Sequence, residues 1–163
     1  MRTVEFAPIT PEDVPEFTQV LVTVWQSLQH LYKEAAKKEE AAELTEAVIK
    51  EKLVSGSYLL IAGKLEGNIV AARVAKFDSG TLYLHLTGVL EIHQGQGIGR
   101  QMHEFTFEHL RQHYPHIHKV WCDTNVKNEG GIVILEKLGF TKEAELKNHW
   151  HGDDYYLWGY WLK

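Results

Sequence analysis

Gln94-Gly95-Gln96-Gly97-Ile98-Gly99-Arg100 closes a strand-like run and opens an amphipathic helix. Upstream, Thr81-Leu82-Tyr83-Leu84-His85-Leu86 alternates as a strand does, and residues 87–92 stay mostly apolar up to the glycines. Downstream, Ile98, Met102, Phe105 and Leu110, with His109 or Phe107, recur at helical spacing. The glycines therefore mark a strand-to-helix junction. Backbone without Cβ atoms, followed by the free N–H groups of a helix start, suits phosphate oxygens; a plain tight turn is the competing reading.

Two familiar phosphate loops do not fit. A dinucleotide fingerprint counted from Gly95 wants glycine where the chain has Arg100, and no Gly-Lys-Ser or Gly-Lys-Thr closes the segment. A second segment lies further on: Asn128-Glu129-Gly130-Gly131-Ile132-Val133-Ile134-Leu135-Glu136-Lys137-Leu138-Gly139-Phe140. Ile132, Leu135 and Leu138 share one helical face, and Gly139 suits the left-handed position just past a helix end.

The pattern Gln94-x-x-Gly97-x-Gly99, followed by the Asn128 segment with its closing Leu-Gly-Phe, resembles the acetyl-CoA-binding motifs of the GNAT N-acetyltransferase family. The resemblance implies an α+β (α/β) fold over residues 1–163 as one domain. In it, a mixed, mostly antiparallel sheet is flanked by helices, and two parallel central strands splay to admit the pantetheine arm. It implies acetyl-CoA, or another short acyl-CoA, as cosubstrate, held by Val89, Leu90, Glu91, Gln94, Gly95, Gln96, Gly97, Ile98, Gly99, Arg100, Asn128 and Leu135.

The element order read from the chain agrees. Residues 3–9 read as a strand, Thr10 as a cap with Pro11 at the first helical position, and Val14, Phe17, Leu21, Val24, Trp25, Leu28 and Leu31 as one helical stripe. A second helix is expected over residues 35–54, its charged front half solvent-facing or mobile. Strands over 58–62 and 69–77, joined by a turn at 63–68, lead through Asp78-Ser79-Gly80 to the strand from Thr81. A strand over 117–124 follows the loop helix and runs parallel to its predecessor. Strands over 141–150 and 155–162 close the chain. Gly88 places a bulge at Thr87-Gly88-Val89, the alternative being a flexible strand end.

Composition sets further limits. The chain has 163 residues, 44% of them hydrophobic, enough for one compact core. No apolar run approaches a membrane span, and the residues from Met1 to Phe6 lack the apolar centre of a signal peptide, so a cytoplasmic setting without membrane contact is expected. The single cysteine, Cys122, reads as a small packed residue in a reducing compartment. A formal charge of −5 argues against a nucleic-acid partner and favours a cationic substrate. The histidine pairs His109/His113, His116/His118 and His149/His151 show no zinc spacing, so no metal is expected. Aromatic residues of the tail, from Trp150 to Trp161, pack a sheet or cover a homodimer interface.

Attack of an amine on a thioester needs a base for the ammonium proton, a donor to the carbonyl oxygen, and an exit for the thiol. The backbone near Val89 or Leu90 is the oxyanion contact that the resemblance implies. His85 and Glu91 are the nearest bases by sequence, although the leucine alternation leaves His85 open to a plain surface role. The family's usual acid is a tyrosine where this chain has Leu135. Tyr155 or Tyr156 would replace it, or the thiolate, with a pKa near about 8.5, would leave unaided and slowly. Without transfer, the chain would be a noncatalytic acyl-CoA sensor. Trp25, Gln29, Tyr32 and His149 are expected at the acceptor site, which would take a small amine or a peptide amino terminus.

Overall fold

The computed structural model describes residues 3–163; Met1 and Arg2, part of the stretch read against a signal peptide, lie outside the described residues. One sheet of seven strands runs through the molecule in the order β1-β2-β3-β4-β5-β7-β6. Its strands are β1 (Glu5–Pro8), β2 (Tyr58–Leu65), β3 (Asn68–Asp78), β4 (Thr81–Val89), β5 (Lys119–Asn125), β6 (Thr141–Trp150) and β7 (Asp153–Trp161). Among the described residues only the β4–β5 pair is parallel, as a helix intervening between the two strands requires.

Helices α1 (Val14–Leu28), α2 (Glu34–Glu43) and α3 (Glu46–Ser55) precede the meander, while α4 (Ile98–His113) and α5 (Glu129–Lys137) flank β5 in sequence. Alternation in β2 divides the core. Leu60 and Ala62 join Phe17, Leu21 and Ile49 of α1 and α3, whereas Leu59 and Ile61 join Phe107, Leu110 and Leu135 of α4 and α5.

Local chemistry explains where elements start and turn. Thr10 and Asp13 cap the entry to α1 reciprocally, the Thr10 N–H donating to the Asp13 carboxylate at 2.9 Å. The single helix expected over 35–54 is two, because Thr45 starts α3 afresh by accepting from the Val48 N–H at 3.3 Å. The turn after β2 is also tighter than expected: Glu66 and Gly67, both left-handed with φ of 52° and 85°, make it alone. Gly63 belongs to β2, where an added Cβ would lie 2.7 Å from the Phe6 ring.

The expected bulge at Thr87-Gly88-Val89 is not there. Those residues pair regularly with Arg73, Ala72 and Ala71, and the irregularity falls at His85, between the pairs Leu84–Ala75 and Leu86–Val74. Gly88 serves helix packing instead, since a Cβ there would meet Val24 Cγ1 at 2.2 Å. The displaced bulge breaks the leucine alternation. Leu82 and Leu84 pack under α4, whereas Leu86 joins the α1 core.

A polar knot lies under β4 on the α4 side. The guanidinium of Arg73, fully buried, donates to Thr87 Oγ1 at 3.0 Å and Thr106 Oγ1 at 2.6 Å, and meets His103 Nε2 at 2.9 Å. Burial disfavours both charges. It lowers the Arg73 pKa, and burial followed by the neighbouring Arg73 holds the His103 imidazole well below its usual value.

Candidate active site

The parallel pairing of β4 with β5 ends at Tyr83–Trp121, two residues before the bulge. Beyond that point the strands part toward their carboxyl ends, the side on which open α/β sheets bind ligands. Strand alternation then fixes the amides. The Leu90 N–H donates to Val70 O at 2.9 Å, so Val89 and Thr87, one and three residues earlier, turn their N–H groups away from β3 into the gap. Leu90, one of the two expected oxyanion contacts, thus has its N–H committed to the sheet.

Past β4, a 3-10 turn at Glu91–His93 delivers the chain to the glycines. Gly95 and Gly97 are left-handed, with φ of 75° and 77°, and Gly97 caps α4. The first bond of the helix runs from Gln101 N to Gly97 O at 3.0 Å, which leaves the amides of Ile98, Gly99 and Arg100 without a helical acceptor. No acidic residue occupies the first turn of α4, so its positive end is available to an anion. The space in front is free of protein: a Cβ at Gly95 would meet nothing within 4 Å, and one at Gly99 only Val89 Cγ2 at 3.9 Å. A hollow of about 680 Å³ borders the loop at Gln96 and Ile98. These features fit a pyrophosphate.

The other expected cofactor contacts have visible structural partners. The Gln94 amide donates to Val89 O at 2.9 Å, tying the loop to the strand end. Arg100 is exposed and pairs with Glu104 at 2.8 Å. Asn128 caps α5 by accepting from the Gly131 N–H at 3.0 Å, and Leu135 is buried in the core. Glu91 lies exposed in the 3-10 turn, outside the cavity that holds His85.

That cavity, about 400 Å³, opens between α1, α2, β4, β5 and the β6–β7 hairpin. His85 reaches into it, and its Nε2 lies 3.0 Å from Oε1 of Glu40, a carboxylate only 5% exposed. Glu40 was hidden in the charged run expected to face solvent. Helical spacing from the buried Ala36 is the signal that could have found it. Across the gap, Asp123 accepts from the Tyr83 hydroxyl at 2.8 Å and bonds to His149 Nε2 at 3.1 Å. Trp25, Tyr32 and His149 line this cavity as expected, and Gln29 does not.

Tyr155 and Tyr156 part company on opposite faces of β7. Tyr155 lines the cavity; its hydroxyl is buried beside the Asn125 amide without a well-formed hydrogen bond, and burial raises its pKa, keeping it protonated. Tyr156 packs with the α4-side core, under the Lys142 ammonium at 4.2 Å. Cys122 is buried, which pushes its thiol up to about 12. Among the described residues, no three His, Cys, Asp or Glu side chains are grouped to hold a metal ion, and no helix is long and apolar enough to cross a membrane.

A glycine-shaped helix start beside a gap between parting parallel strands is the arrangement that the resemblance to the GNAT family implies. A family model described as the Acetyltransferase (GNAT) family matches residues 24–140, and the chain belongs to that family. Acetyl-CoA is accordingly its cosubstrate, and acetyl transfer is the general activity of that family.

Solved structures share the fold. The ribosomal-protein-S18-alanine N-acetyltransferase of Escherichia coli superposes with a TM-score of 0.75 at 16% identity, over 99% of this chain and 95% of that one. The PaiA N-acetyltransferase of Thermoplasma acidophilum, in complex with coenzyme A, gives 0.81 at 13% identity, over 96% and 98%. The ribosomal-protein-S5-alanine acetyltransferase of Vibrio fischeri gives 0.77 at 14% identity, over 100% and 97%. No curated protein matches the chain in sequence.

Proposed function

We propose that the protein transfers the acetyl group of acetyl-CoA to a primary amine by direct attack in a ternary complex. One observation carries this reading: the His85–Glu40 pair stands at the bulge where β4 leaves β5, on the strand that ends at the glycine cradle. Amides of Ile98, Gly99 and Arg100 hold the pyrophosphate, with Gly95 and Gly97 shaping the loop. When bound, acetyl-CoA supplies the thioester carbonyl as the electrophile.

His85 takes the ammonium proton, while Glu40 orients the imidazole and stabilises its charged form. The gap-facing amides of Val89 and Thr87 donate to the carbonyl oxygen as negative charge grows there. Tyr155, kept protonated by burial, donates to the leaving sulfur in place of the tyrosine that Leu135 replaces. The free, buried Cys122 agrees with a reducing, cytoplasmic setting.

Leu135 supports a second reading, a noncatalytic acyl-CoA sensor, because a buried leucine donates no proton. Thiol release from acetyl-CoA over a panel of primary amines separates the two. Transfer predicts release above the hydrolysis background, reduced about 10²–10⁴-fold in His85→Ala. Acetyl-CoA binding with no release over the panel would establish the sensor.

A further inference from the structure

The cavity beside His85 is lined by more carboxylates than lysines. Four carboxylates line it, Glu39, Glu40, Glu43 and Asp123, against two lysines, Lys52 and Lys76. Lys52 is bonded to Glu43 at 2.8 Å, which balances that pair internally. The others have imidazole, phenol or indole partners: Glu40 has His85, Asp123 has Tyr83 and His149, and Glu39 has His151 and Trp150. An uncharged ring that donates a hydrogen bond orients a carboxylate without cancelling its charge. Counted over its carboxylates and lysines, the lining therefore holds an excess of two acidic groups.

Two further features point to an occupant. Trp25 and Tyr155, 6% and 4% exposed, line the cavity, and the Trp25 indole N–H and the Tyr155 hydroxyl behind its wall are buried without a well-formed hydrogen bond, the hydroxyl beside the Asn125 amide. Buried polar atoms left in this state mark a place for water or ligand. Trp25, Tyr32 and Trp150 also form one aromatic wall, with successive ring centroids 4.9 and 5.7 Å apart, and such faces attract cations.

One side of the cavity is strapped shut. Glu39 of α2 binds His151 and Trp150 of the β6–β7 hairpin, and Lys33 donates to His151 O at 3.0 Å and pairs with Asp153 at 3.5 Å. A polypeptide passing between α2 and the hairpin must break these bonds; a small molecule need not.

We propose that the acceptor is a small aliphatic diamine, bound as a dication. This rests on the transfer reading above and names its substrate class. One ammonium lies at His85–Glu40, and the second stays charged between Asp123 and the aromatic wall. From the reacting ammonium, one proton passes through His85 to solvent and a second accompanies the departing thiolate. The N–C bond forms as the C–S bond breaks, and the product keeps one cationic end.

The test compares diaminobutane with butylamine, aminobutanoate and trialanine amide, which present a cationic, neutral, anionic or peptide remainder. Thiol release gives kcat/KM, and calorimetry without acetyl-CoA gives binding separately. Diaminobutane should exceed butylamine by about ten-fold or more in kcat/KM, with aminobutanoate and the peptide below both. Asp123→Asn and Glu39→Gln should each narrow the diamine-to-butylamine ratio about five-fold, which a merely structural loss would not do. Equal or better use of butylamine, aminobutanoate or the peptide would overturn the proposal. If no amine is acetylated, the transfer reading fails, and calorimetry still decides: tighter binding of diaminobutane than butylamine upholds the dication site, and equal or absent binding overturns it.

Discussion

His85 Nε2 and Glu40 Oε1 lie 3.0 Å apart, joining a strand bulge to a helix that arrives from 45 residues earlier in the chain. The bulge turns the imidazole and Leu86 into one cavity, where regular alternation would have set them on opposite faces. Glu40→Gln should keep the hydrogen bond and remove the charge that stabilises the imidazolium. We expect kcat to fall about ten- to a hundred-fold, less than in His85→Ala, with little change in KM. Steady-state kinetics with a saturable amine checks this; a raised KM at unchanged kcat would make the pair a binding feature.

The glycines separate fold from ligand. Gly99 has ordinary backbone geometry, and its added Cβ would touch only Val89 at 3.9 Å, so Gly99→Ala should fold normally yet crowd the pyrophosphate. Calorimetry should show coenzyme A affinity reduced about ten-fold or more, at an unfolding midpoint near that of wild type. Gly97→Val, at φ 77°, should also lose stability, by about 1–3 kcal/mol.

Arg100→Ala should weaken coenzyme A by less than Gly99→Ala does. Its guanidinium is exposed and already paired with Glu104, whereas backbone amides supply the principal donors. Affinities of the two variants measured side by side decide it, and a larger loss from Arg100→Ala would make the side chain the main anchor.

Gly88→Ala tests why this position lacks a side chain. The clash with Val24 at 2.2 Å should cost about 1–3 kcal/mol, and Val24→Ala in the same chain should recover part of it. Urea unfolding of the two single variants and the double variant measures the coupling. Independent losses would return Gly88 to the role of a flexible strand end.

The periodic elements and the glycine-marked helix start were legible in the sequence because each rests on local patterns: apolar spacing, caps, glycines at a junction. The pieces that came from elsewhere were not. Gly88 is explained by Val24 of α1, the bulge at His85 by register against β3, and the burial of Glu40 by a contact across the molecule. The leaving-group question had the same character. Tyr155 and Tyr156 are adjacent in the chain, and only the pairing of β7 shows which one faces the cavity.

His103 should give stability a pH dependence. Its folded pKa is depressed, first by burial and then by Arg73, so the unfolded chain, titrating near about 6.5, binds a proton that the folded chain refuses. The stabilising contribution is complete above about pH 6.5 and declines as pH falls below that value. The urea midpoint should drop between about pH 7.5 and 5.5, and drop less in His103→Gln. An equal drop in both proteins would assign the effect to other groups.

Direct transfer to an amine held beside His85 is tested most squarely by initial velocities with acetyl-CoA and amine varied together. A ternary complex predicts double-reciprocal lines that intersect, and a rate that rises with pH as the amine loses its proton. Parallel lines, the mark of an acetylated enzyme intermediate, would contradict direct attack at His85.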